Sequence, residues 1–477
     1  MTNLGTVYYG KCVVICTGTY LKSRIIIGDV VYDGGPDGEF PAAKLSNCLL
    51  KAGLTLLRFK TGTPPRVNKR SIDFTQMEEQ PGDDRIRPFS FDHDEMEIEQ
   101  VPCWLTHTNE NAHKIIRDNL HRSPLYSGVI EGKGPRYCPS IEDKVVKFPG
   151  RDRHHIFIEP MGKDTYEMYL AGLSSSLPED VQIAVAKTVR GLEDVKFNRC
   201  GYAIEYDFIF PDQIERTLAL KRWRNVFPAG QINGTSGYEE AGGQGLLAGL
   251  NAARTAAGLE PVVIPRELSY LGVMVDDLVT KDIIEPYRLF TSRSEYRLRL
   301  RQDNADLRLC ELAKELNLLP FDKYRSYVEY NKQLNDAIAL SKSVKYQGKT
   351  IFAQLKSLRG IYYEGTPLPC SIDGINLDLK IRNGRKIIRQ LAILAHYEGY
   401  LEREEQSISK LQKLENWKIS ADFDYNSLSG LCNESKIKLN KVRPTTLAQA
   451  SRIDGVTPVE IALLQVSLTR ISKSAGR

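Results

Sequence analysis

One cysteine of this chain, Cys138, stands in a loop where a thiol could react. Its neighbours are glycine, prolines and the two cations Arg136 and Lys144, within the run Gly134–Phe148. A cysteine kept for packing is usually surrounded by apolar side chains, whereas a nucleophilic one needs access and a lowered pKa. The sequence therefore predicts a nucleophilic thiol at Cys138, with Glu142 or Asp143 as candidate proton relays.

A second feature is a helix rich in small residues. The segment Tyr238–Ala256 holds four glycines, each of which costs roughly 1 kcal/mol relative to alanine inside a helix. A predicted strand, Trp223–Gly230, and a polar turn, Gln231–Gly237, precede it. The helix start would direct backbone N–H groups at an electron-rich ligand atom. The alternative is close packing of helix on sheet without a ligand.

An apolar run near the start predicts another buried strand. It covers Cys12 to Cys16 and ends at Thr17-Gly18-Thr19. Both of its cysteines fall on one face of such a strand, so we expect them in the core as small apolar residues. The glycine after the strand would let the backbone approach a flat ligand.

Arginines cluster between Arg288 and Arg308. This segment suits bidentate contact with phosphate, and the candidate nucleic-acid contacts in it are Arg288, Arg293, Arg297, Arg299 and Arg301. A solvated helix face with internal ion pairs explains the same composition.

The adjacent His154 and His155 would point to opposite faces of a strand, so no metal site is expected there.

Composition sets the class of protein. The chain has 477 residues, 42% of them hydrophobic, which is enough for two to four domains. No apolar run of about eighteen residues is present, so no membrane span is expected. The nine cysteines show no CxxC pair, which argues against a zinc site or a disulfide framework and favours a reducing cytosol.

The order of patterns predicts an α/β protein that ends in a helical region. We expect a Rossmann-type domain, an inserted α+β domain and an all-helical C-terminal part. The predicted boundaries are 1–57 with 199–265 for the first, 58–198 for the insertion, 266–416 for a helical domain and 417–477 for a terminal helical subdomain. Long amphipathic stretches at Ala305–Leu319, Lys323–Ser343 and Ile381–Asn416 carry the helical prediction.

Several ordered runs resemble one family, the tRNA uridine 5-carboxymethylaminomethyl modification enzymes called MnmG or GidA. Besides Gly134–Phe148, the runs are RFKTGTPPRV (Arg58–Val67), PCWLTHTNE (Pro102–Glu110), GYAIEYDF (Gly201–Phe208), Ala229–Arg254 and Glu285–Leu309. They follow the family's order from the first strand to the last helix.

The resemblance implies a cytoplasmic flavoenzyme whose first domain is an incomplete FAD-binding Rossmann-type domain. In that family FAD, reduced by NADH, acts with methylenetetrahydrofolate and with glycine or ammonium to build an aminomethyl-type group on C5 of the wobble uridine of tRNA. The GTPase MnmE is the partner, and a homodimer within a heterotetramer is expected. A thiolate at Cys138 would add to C6 of the uracil and make C5 nucleophilic.

The resemblance also assigns binding residues. FAD is expected to contact Thr17, Gly18, Ala42, Gly230, Gln231, Asn233 and Gly234. The NAD-binding segment would comprise Gly134, Pro135, Arg136, Tyr137, Cys138, Pro139, Ser140, Ile141, Glu142, Asp143, Lys144, Val145, Val146, Lys147 and Phe148. The helical end, including Tyr397–Tyr400, is where the family is thought to bind tRNA and the GTPase.

Two departures from the family pattern leave alternatives open. The chain contains no GxGxxG unit for the FAD pyrophosphate, and Ala42 stands where the family often has serine. We therefore expect an amino-terminally truncated form that binds FAD poorly. The competing functions are a non-catalytic fragment that binds tRNA or the GTPase, a flavin oxidoreductase for a small metabolite, and a folate-dependent tRNA methyltransferase.

Overall fold

The computed structural model describes residues 1–2, 4–83, 86, 88–91, 93, 98–137, 139–346, 348–357 and 382–475. Two compact units divide the chain. Unit 1 comprises Met1–Asp84, Ile98–Val263 and Lys281–Arg288, and unit 2 comprises Arg85–Glu97, Ile264–Thr280 and Leu289–Arg477.

Unit 1 contains strands in three sheets and five helices among its described residues. The strands are β1 (Val13–Ile15), β2 (Arg24–Ile27), β3 (Val30–Asp33), β4 (Leu56–Thr63), β5 (Arg66–Asn68), β6 (Glu78–Gln80), β7 (Cys103–His107), β8 (His155–Pro160), β9 (Glu167–Ala171), β10 (Phe197–Arg199), β11 (Tyr202–Ile209) and β12 (Val226–Pro228). The helices are α1 (Ala43–Lys51), α2 (Glu110–Asp118), α3 (Ile141–Lys147), α4 (Glu179–Lys187) and α5 (Tyr238–Ala256).

The first sheet pairs β1 with β12 in parallel, in the register Val13↔Val226 to Ile15↔Pro228. Both strands were predicted from the sequence, and α5 begins and ends at the predicted residues. The prediction that Cys12 and Cys16 lie in the core is wrong, since Cys12 is half-buried and Cys16 is exposed. Within the described residues β1 bonds to β12 alone, so little covers its side chains.

The second sheet has the order β3-β2-β11-β4 and is antiparallel. The third sheet has the order β10-β5-β9-β8-β7-β6 and is also antiparallel. Buried residues such as Ile116, Ile158 and Val185 form one apolar core between the third sheet and the helices α2 to α4.

The two adjacent histidines, His154 just before β8 and His155 at its first position, contact different rings. His154 contacts the ring of His113 at 5.2 Å, and His155 contacts that of His107 at 4.9 Å, centroid to centroid. No group of three metal-ligating side chains occurs among the residues that the structure describes.

Unit 2 is largely helical, in agreement with the predicted helical C-terminal region. Its helices are α6 (Tyr270–Thr280), α7 (Ala305–Glu315), α8 (Phe321–Ser343), α9 (Ile351–Ser357), α10 (Arg382–Glu415), α11 (Asn433–Val442), α12 (Leu447–Ser451) and α13 (Pro458–Ala475). A short hairpin of β13 (Lys345–Tyr346) and β14 (Lys349–Thr350) is an element that the sequence did not predict. No helix in the described part of the chain has the length and apolar character needed to cross a bilayer.

Helix α6 was also missed, for a physical reason. Every residue from Gly272 to Thr280 is buried, including the acidic pair Asp276 and Asp277. A helix that is buried all around has no polar face, so no amphipathic period identifies it.

The last helix begins with a capping box. Glu460 accepts hydrogen bonds from the backbone N–H of Thr457 (2.8 Å) and of Cys432 (3.0 Å), and its own N–H donates to the Thr457 hydroxyl (3.4 Å). Desolvation alone would raise the pKa of Glu460, but these hydrogen bonds outweigh it and lower the pKa to about 2. The carboxylate form therefore stabilises the terminal helices.

This cap gives a pH-dependent prediction. A carboxyl whose pKa is lowered by folding stabilises the fold above its unfolded pKa, and that contribution is lost as pH falls through the folded value. At pH 6 we expect Glu460→Gln to lower the free energy of unfolding by about 1 kcal/mol. The difference should shrink below about pH 4 and vanish only as pH falls below about 2, measured by denaturant unfolding followed by tryptophan fluorescence. If Glu460→Gln lowered the free energy of unfolding equally at pH 6 and below pH 2, the stabilising role of the Glu460 carboxylate would be contradicted.

Candidate functional site

The run Gly134–Phe148 consists of a loop followed by helix α3. Ser140 caps this helix, since its hydroxyl oxygen accepts the backbone N–H of Asp143 at 3.3 Å. Arg136 is exposed and pairs with Glu285 at 3.0 Å, and Lys144 donates to the carbonyl of Gly172 at 3.3 Å. Cys138 itself lies outside the described residues.

The chain that enters this run is held against β4. The backbone N–H of Lys60 donates to the carbonyl of Lys133 at 3.0 Å. A Cβ atom at Gly132 would lie 2.7 Å from the carbonyl carbon of Phe59, so only glycine fits this approach. The segment before the run therefore lies directly beside β4.

A buried carboxylate, Glu205 on β11, fixes the same segment. It accepts the backbone N–H groups of Glu131 (2.7 Å) and Gly132 (2.5 Å) and the Nε–H of Arg24 (2.5 Å). Desolvation would raise the pKa of Glu205, but these hydrogen bonds and the charge of Arg24 lower it. Sequence reasoning missed this role, although an acid at the centre of the apolar strand GYAIEYDF was a usable signal.

Of the two candidate proton relays, Glu142 is fully buried and Asp143 lies at the helix surface. Glu142 Oε1 accepts the backbone N–H (3.2 Å) and hydroxyl (3.4 Å) of Ser176, while Oε2 has no hydrogen-bond partner within the described structure. Burial raises the pKa of Glu142. Asp143 accepts hydrogen bonds from the Tyr126 hydroxyl at 3.1 Å and from Lys147 at 3.2 Å.

A cleft of about 390 Å³ opens beside the loop. Its cationic lining residues are Lys60, Lys133, Arg136 and Lys147, and its acidic ones are Asp143 and Glu285. The two acids pair with Lys147 and Arg136 respectively, so the lysines at 60 and 133 leave the cleft electropositive. Such a lining suits an anionic ligand.

The predicted flavin contacts gather at the carboxyl ends of two adjacent parallel strands. Thr17 and Gly18 follow β1, and the turn Gly230–Asn233 follows β12. A hydrogen bond from the N–H of Ala229 to the carbonyl of Ile15, at 2.9 Å, joins the ends of the two strands. In open α/β sheets this edge is where ligands bind. Ala42 lies at the start of α1, where its N–H donates to the carbonyl of Tyr20 at 2.8 Å, and Gln231 is half-buried.

Two buried oxygens at this edge have no hydrogen-bond partner within the described structure: Thr17 Oγ1 and Asn233 Oδ1. The amide nitrogen of Asn233, by contrast, donates to Pro228 O and Gln244 Oε1, both at 2.8 Å. Buried polar atoms are normally paired, so unpaired ones at a ligand-binding edge fit a bound polar group.

Three of the four glycines of α5 do not serve close packing within the described residues. A Cβ atom added at Gly242, Gly245 or Gly249 would meet nothing within 4 Å. Packing of helix on sheet therefore does not explain these three glycines.

The loop and the flavin-side turn meet. The hydroxyl of Tyr137 donates to the hydroxyl oxygen of Ser236 at 2.7 Å, and Ser236 directly precedes Gly237, the N-cap residue of α5. The residue before Cys138 is thereby joined to the turn that opens the small-residue helix.

The arginine-rich segment is not a helix face. Its described residues form loops and two 3-10 turns, Thr291–Arg293 and Gln302–Asn304, before α7. Most of its arginines make internal contacts: Arg288 with Glu240 (2.8 Å), Arg293 with Asp277 (3.9 Å), Arg299 with Glu405, and Arg301 with Asp303 (3.1 Å). Arg297 is exposed.

Two family descriptions match the sequence. One, "Glucose inhibited division protein A", covers residues 1–260, and another, "tRNA modifying enzyme MnmG/GidA C-terminal helical bundle", covers residues 407–476.

Relatives and solved structures point the same way. One relative, from Caldicellulosiruptor saccharolyticus, is named tRNA uridine 5-carboxymethylaminomethyl modification enzyme MnmG. It is 49% identical to this chain over 489 residues, and the match covers 99% of this chain and 77% of the relative's length. A Clostridium botulinum protein of the same name is 46% identical, covering 98% and 77%. The structure of Aquifex aeolicus GidA in its form I crystal matches with a TM-score of 0.86 at 46% identity, covering 98% of this chain and 77% of that one. The chain thus spans about three quarters of these relatives' length.

Proposed function

Because the chain belongs to the MnmG/GidA family of tRNA uridine modification enzymes, we propose that it modifies C5 of the wobble uridine with FAD, NADH and methylenetetrahydrofolate. Glycine as the nitrogen donor would give a carboxymethylaminomethyl group, and ammonium would give an aminomethyl group. The observation that carries this proposal is the bond between Tyr137 and Ser236, since it joins the proposed nucleophile loop to the proposed flavin turn.

The residues at the carboxyl ends of β1 and β12 fit FAD. The unpaired oxygens of Thr17 and Asn233 would bond the cofactor, and the backbone of Gly18, Gly230 and Gly234 permits close approach. The side chain of Gln231 and the backbone of Ala42 complete the proposed set. When bound, FAD would accept a hydride from NADH and supply redox chemistry at this site.

For NADH we propose the cleft beside Gly134–Phe148. A dinucleotide carries a diphosphate, and the ammonium groups of Lys60 and Lys133 would neutralise it. Glycine at 134 leaves room there, since a Cβ atom would lie 2.5 Å from Cε of Lys60. Because nicotinamide and tRNA would use the same loop, the two must bind in turn.

The proposed nucleophile is Cys138. Its thiolate would form a bond to C6 of the uracil, and the C5–C6 π electrons would move to the O4 carbonyl as an enolate. C5 then attacks the one-carbon electrophile, and loss of its proton with departure of the thiolate restores the ring. Glu142, buried with a raised pKa, is the better placed of the two carboxyls to hold a proton near this loop.

For tRNA we propose contacts within the arginine-rich segment, with Arg297 as the most accessible member. Arg293, Arg299 and Arg301 would need to exchange internal partners to reach phosphates. The helical region, including Tyr397–Tyr400, is the proposed site for tRNA and the GTPase MnmE, and a homodimer within a heterotetramer is the proposed assembly. The division of unit 1 into 1–57 with 199–265 and an insertion 58–198 is likewise proposed.

Analysis of the wobble nucleosides in tRNA from cells that lack the gene tests the proposed function. Complementation with this chain should restore the modified uridine, detected by mass spectrometry. Flavin absorbance of the purified chain would support the enzyme. A colourless protein that still shifts tRNA in a gel would instead favour the alternative, a non-catalytic fragment that binds tRNA or the GTPase.

Thr17→Val tests the flavin site directly. It removes a hydroxyl that lacks a protein partner, so the fold should be unaffected while one cofactor hydrogen bond is lost. We expect the Kd for added FAD, measured by fluorescence quenching, to rise about five- to tenfold. The matched control is Thr19→Val in the same turn, which should stay within about twofold. Equal Kd values for Thr17→Val and the unchanged chain would remove Thr17 from the site.

A further inference from the structure

The turn that opens α5 is joined to the segment Lys281–Arg288 by backbone hydrogen bonds. The N–H of Tyr287 donates to the carbonyl of Gly234 at 2.9 Å, and the N–H of Ser236 donates to the carbonyl of Tyr287 at 2.8 Å. These bonds fix where the next residue, Arg288, can reach.

Arg288 lies between the turn and the loop. Its Nε is 2.8 Å from Oε1 of Glu240, which is 3% exposed, and its guanidinium lies 5.5 Å from the ring centroid of Tyr137. Gly237 makes this reach possible, since a Cβ atom there would lie 2.9 Å from Cζ of Arg288 and 2.0 Å from Oε2 of Glu240. Its φ of 135° is also one that a side chain disfavours.

Three contacts therefore tie residues 136–137 to the rest of unit 1. Tyr137 donates to Ser236, its ring faces the Arg288 guanidinium, and Arg136 pairs with Glu285. The Arg136 pair is exposed and therefore weak, whereas the Arg288–Glu240 pair has a buried carboxylate.

We propose that Tyr137, Ser236 and Arg288 form a clamp that holds the nucleophile loop against the turn at the start of α5. Arg288 is thereby a positioning residue of the loop rather than a tRNA contact. The catalytic consequence rests on the proposed function, but the clamp itself is a property of this chain alone.

Trypsin reports on the clamp without cofactor or tRNA. The side chain of Arg136 is 80% exposed, and the peptide bond after it joins the clamped Tyr137. Cleavage of a transiently opened segment follows the population of the open form. Tyr137→Phe and Ser236→Ala should each raise the rate of cleavage after Arg136 about fivefold, the equivalent of one hydrogen bond.

A double-mutant cycle makes the test specific. The variant with both Tyr137→Phe and Ser236→Ala should be cleaved no faster than either single variant, because both remove the same bond. Arg288→Gln should raise cleavage by about tenfold or more, since it leaves Glu240 buried without its cation. Arg224→Gln, which removes an exposed arginine paired at 3.8 Å with Glu215, is the control and should leave the rate unchanged.

A second readout separates positioning from simple stability. With flavin-loaded protein, Tyr137→Phe should lower kcat for uridine modification several-fold while the melting temperature stays unchanged. Additive effects in the cycle, or wild-type cleavage of Tyr137→Phe and Arg288→Gln, would overturn the clamp. If the unchanged chain does not modify uridine but the cleavage rates of the variants are as expected, the proposed function is wrong and the clamp stands.

Discussion

Cys138→Ser should abolish formation of the modified wobble uridine while the protein still folds. A serine hydroxyl has a much higher pKa than a thiol and is a poor nucleophile toward a uracil C6. We expect the rate to fall by about three orders of magnitude or more, as when other covalent nucleophiles are removed. The measurement is mass spectrometry of nucleosides from tRNA incubated with purified protein, reduced flavin and the folate.

The matched control is Cys48→Ser. Cys48 is an exposed cysteine on α1, in the same unit but outside the loop, and its replacement should leave the rate within about twofold. Cys138→Ser should also keep the melting temperature and the flavin content of the unchanged chain. Modification at the normal rate by Cys138→Ser would remove the assigned role.

Local patterns predicted those elements whose signal is local. Helix α5 has the predicted ends because a polar turn and a run of helix-compatible residues define both. Helices α7, α8 and α10 were found because each alternates apolar and polar residues with the period of a half-buried helix. Helix α6 escaped because its polar residues, Asp276 and Asp277, lie inside.

The sequence predicted the separate segments of the candidate site but not the contacts that bring them together. Composition singled out the loop at Gly134–Phe148 and the turn at Gln231–Gly237, about 100 residues apart. Their contact through Tyr137 and Ser236 depends on Gly132, Glu205 and the 281–288 segment, which act at a distance in sequence. No spacing rule reports such tertiary contacts, so the contact of Arg288 with Glu240 was not predicted.

The acidic pair on α6 is neutralised by two distant arginines, and this predicts a large loss of stability. Arg266, 5% exposed, lies 2.7 Å from Asp277 and 3.3 Å from Asp276. Arg452 of the terminal helices contacts Asp276 at 2.6 Å and Glu415 of α10 at 3.0 Å. Burial would lower the pKa of Arg266, but Asp277, Asp276 and Glu295 outweigh burial and raise it. The arginine therefore remains charged.

Arg266→Met should remove the cation that lies 2.7 Å from the buried Asp277, whereas Arg293 lies 3.9 Å from it. Removing one partner of a buried ion pair costs about 3–5 kcal/mol, so we expect the melting temperature of unit 2 to fall by roughly 10 °C in calorimetry. Arg325→Met on the exposed face of α8 should change it by less than about 2 °C. Adding Asp277→Asn to Arg266→Met should recover part of the loss, because the stranded charge is then gone. A melting temperature for Arg266→Met equal to that of Arg325→Met would mean that the Asp276–Asp277 pair is neutralised by other groups.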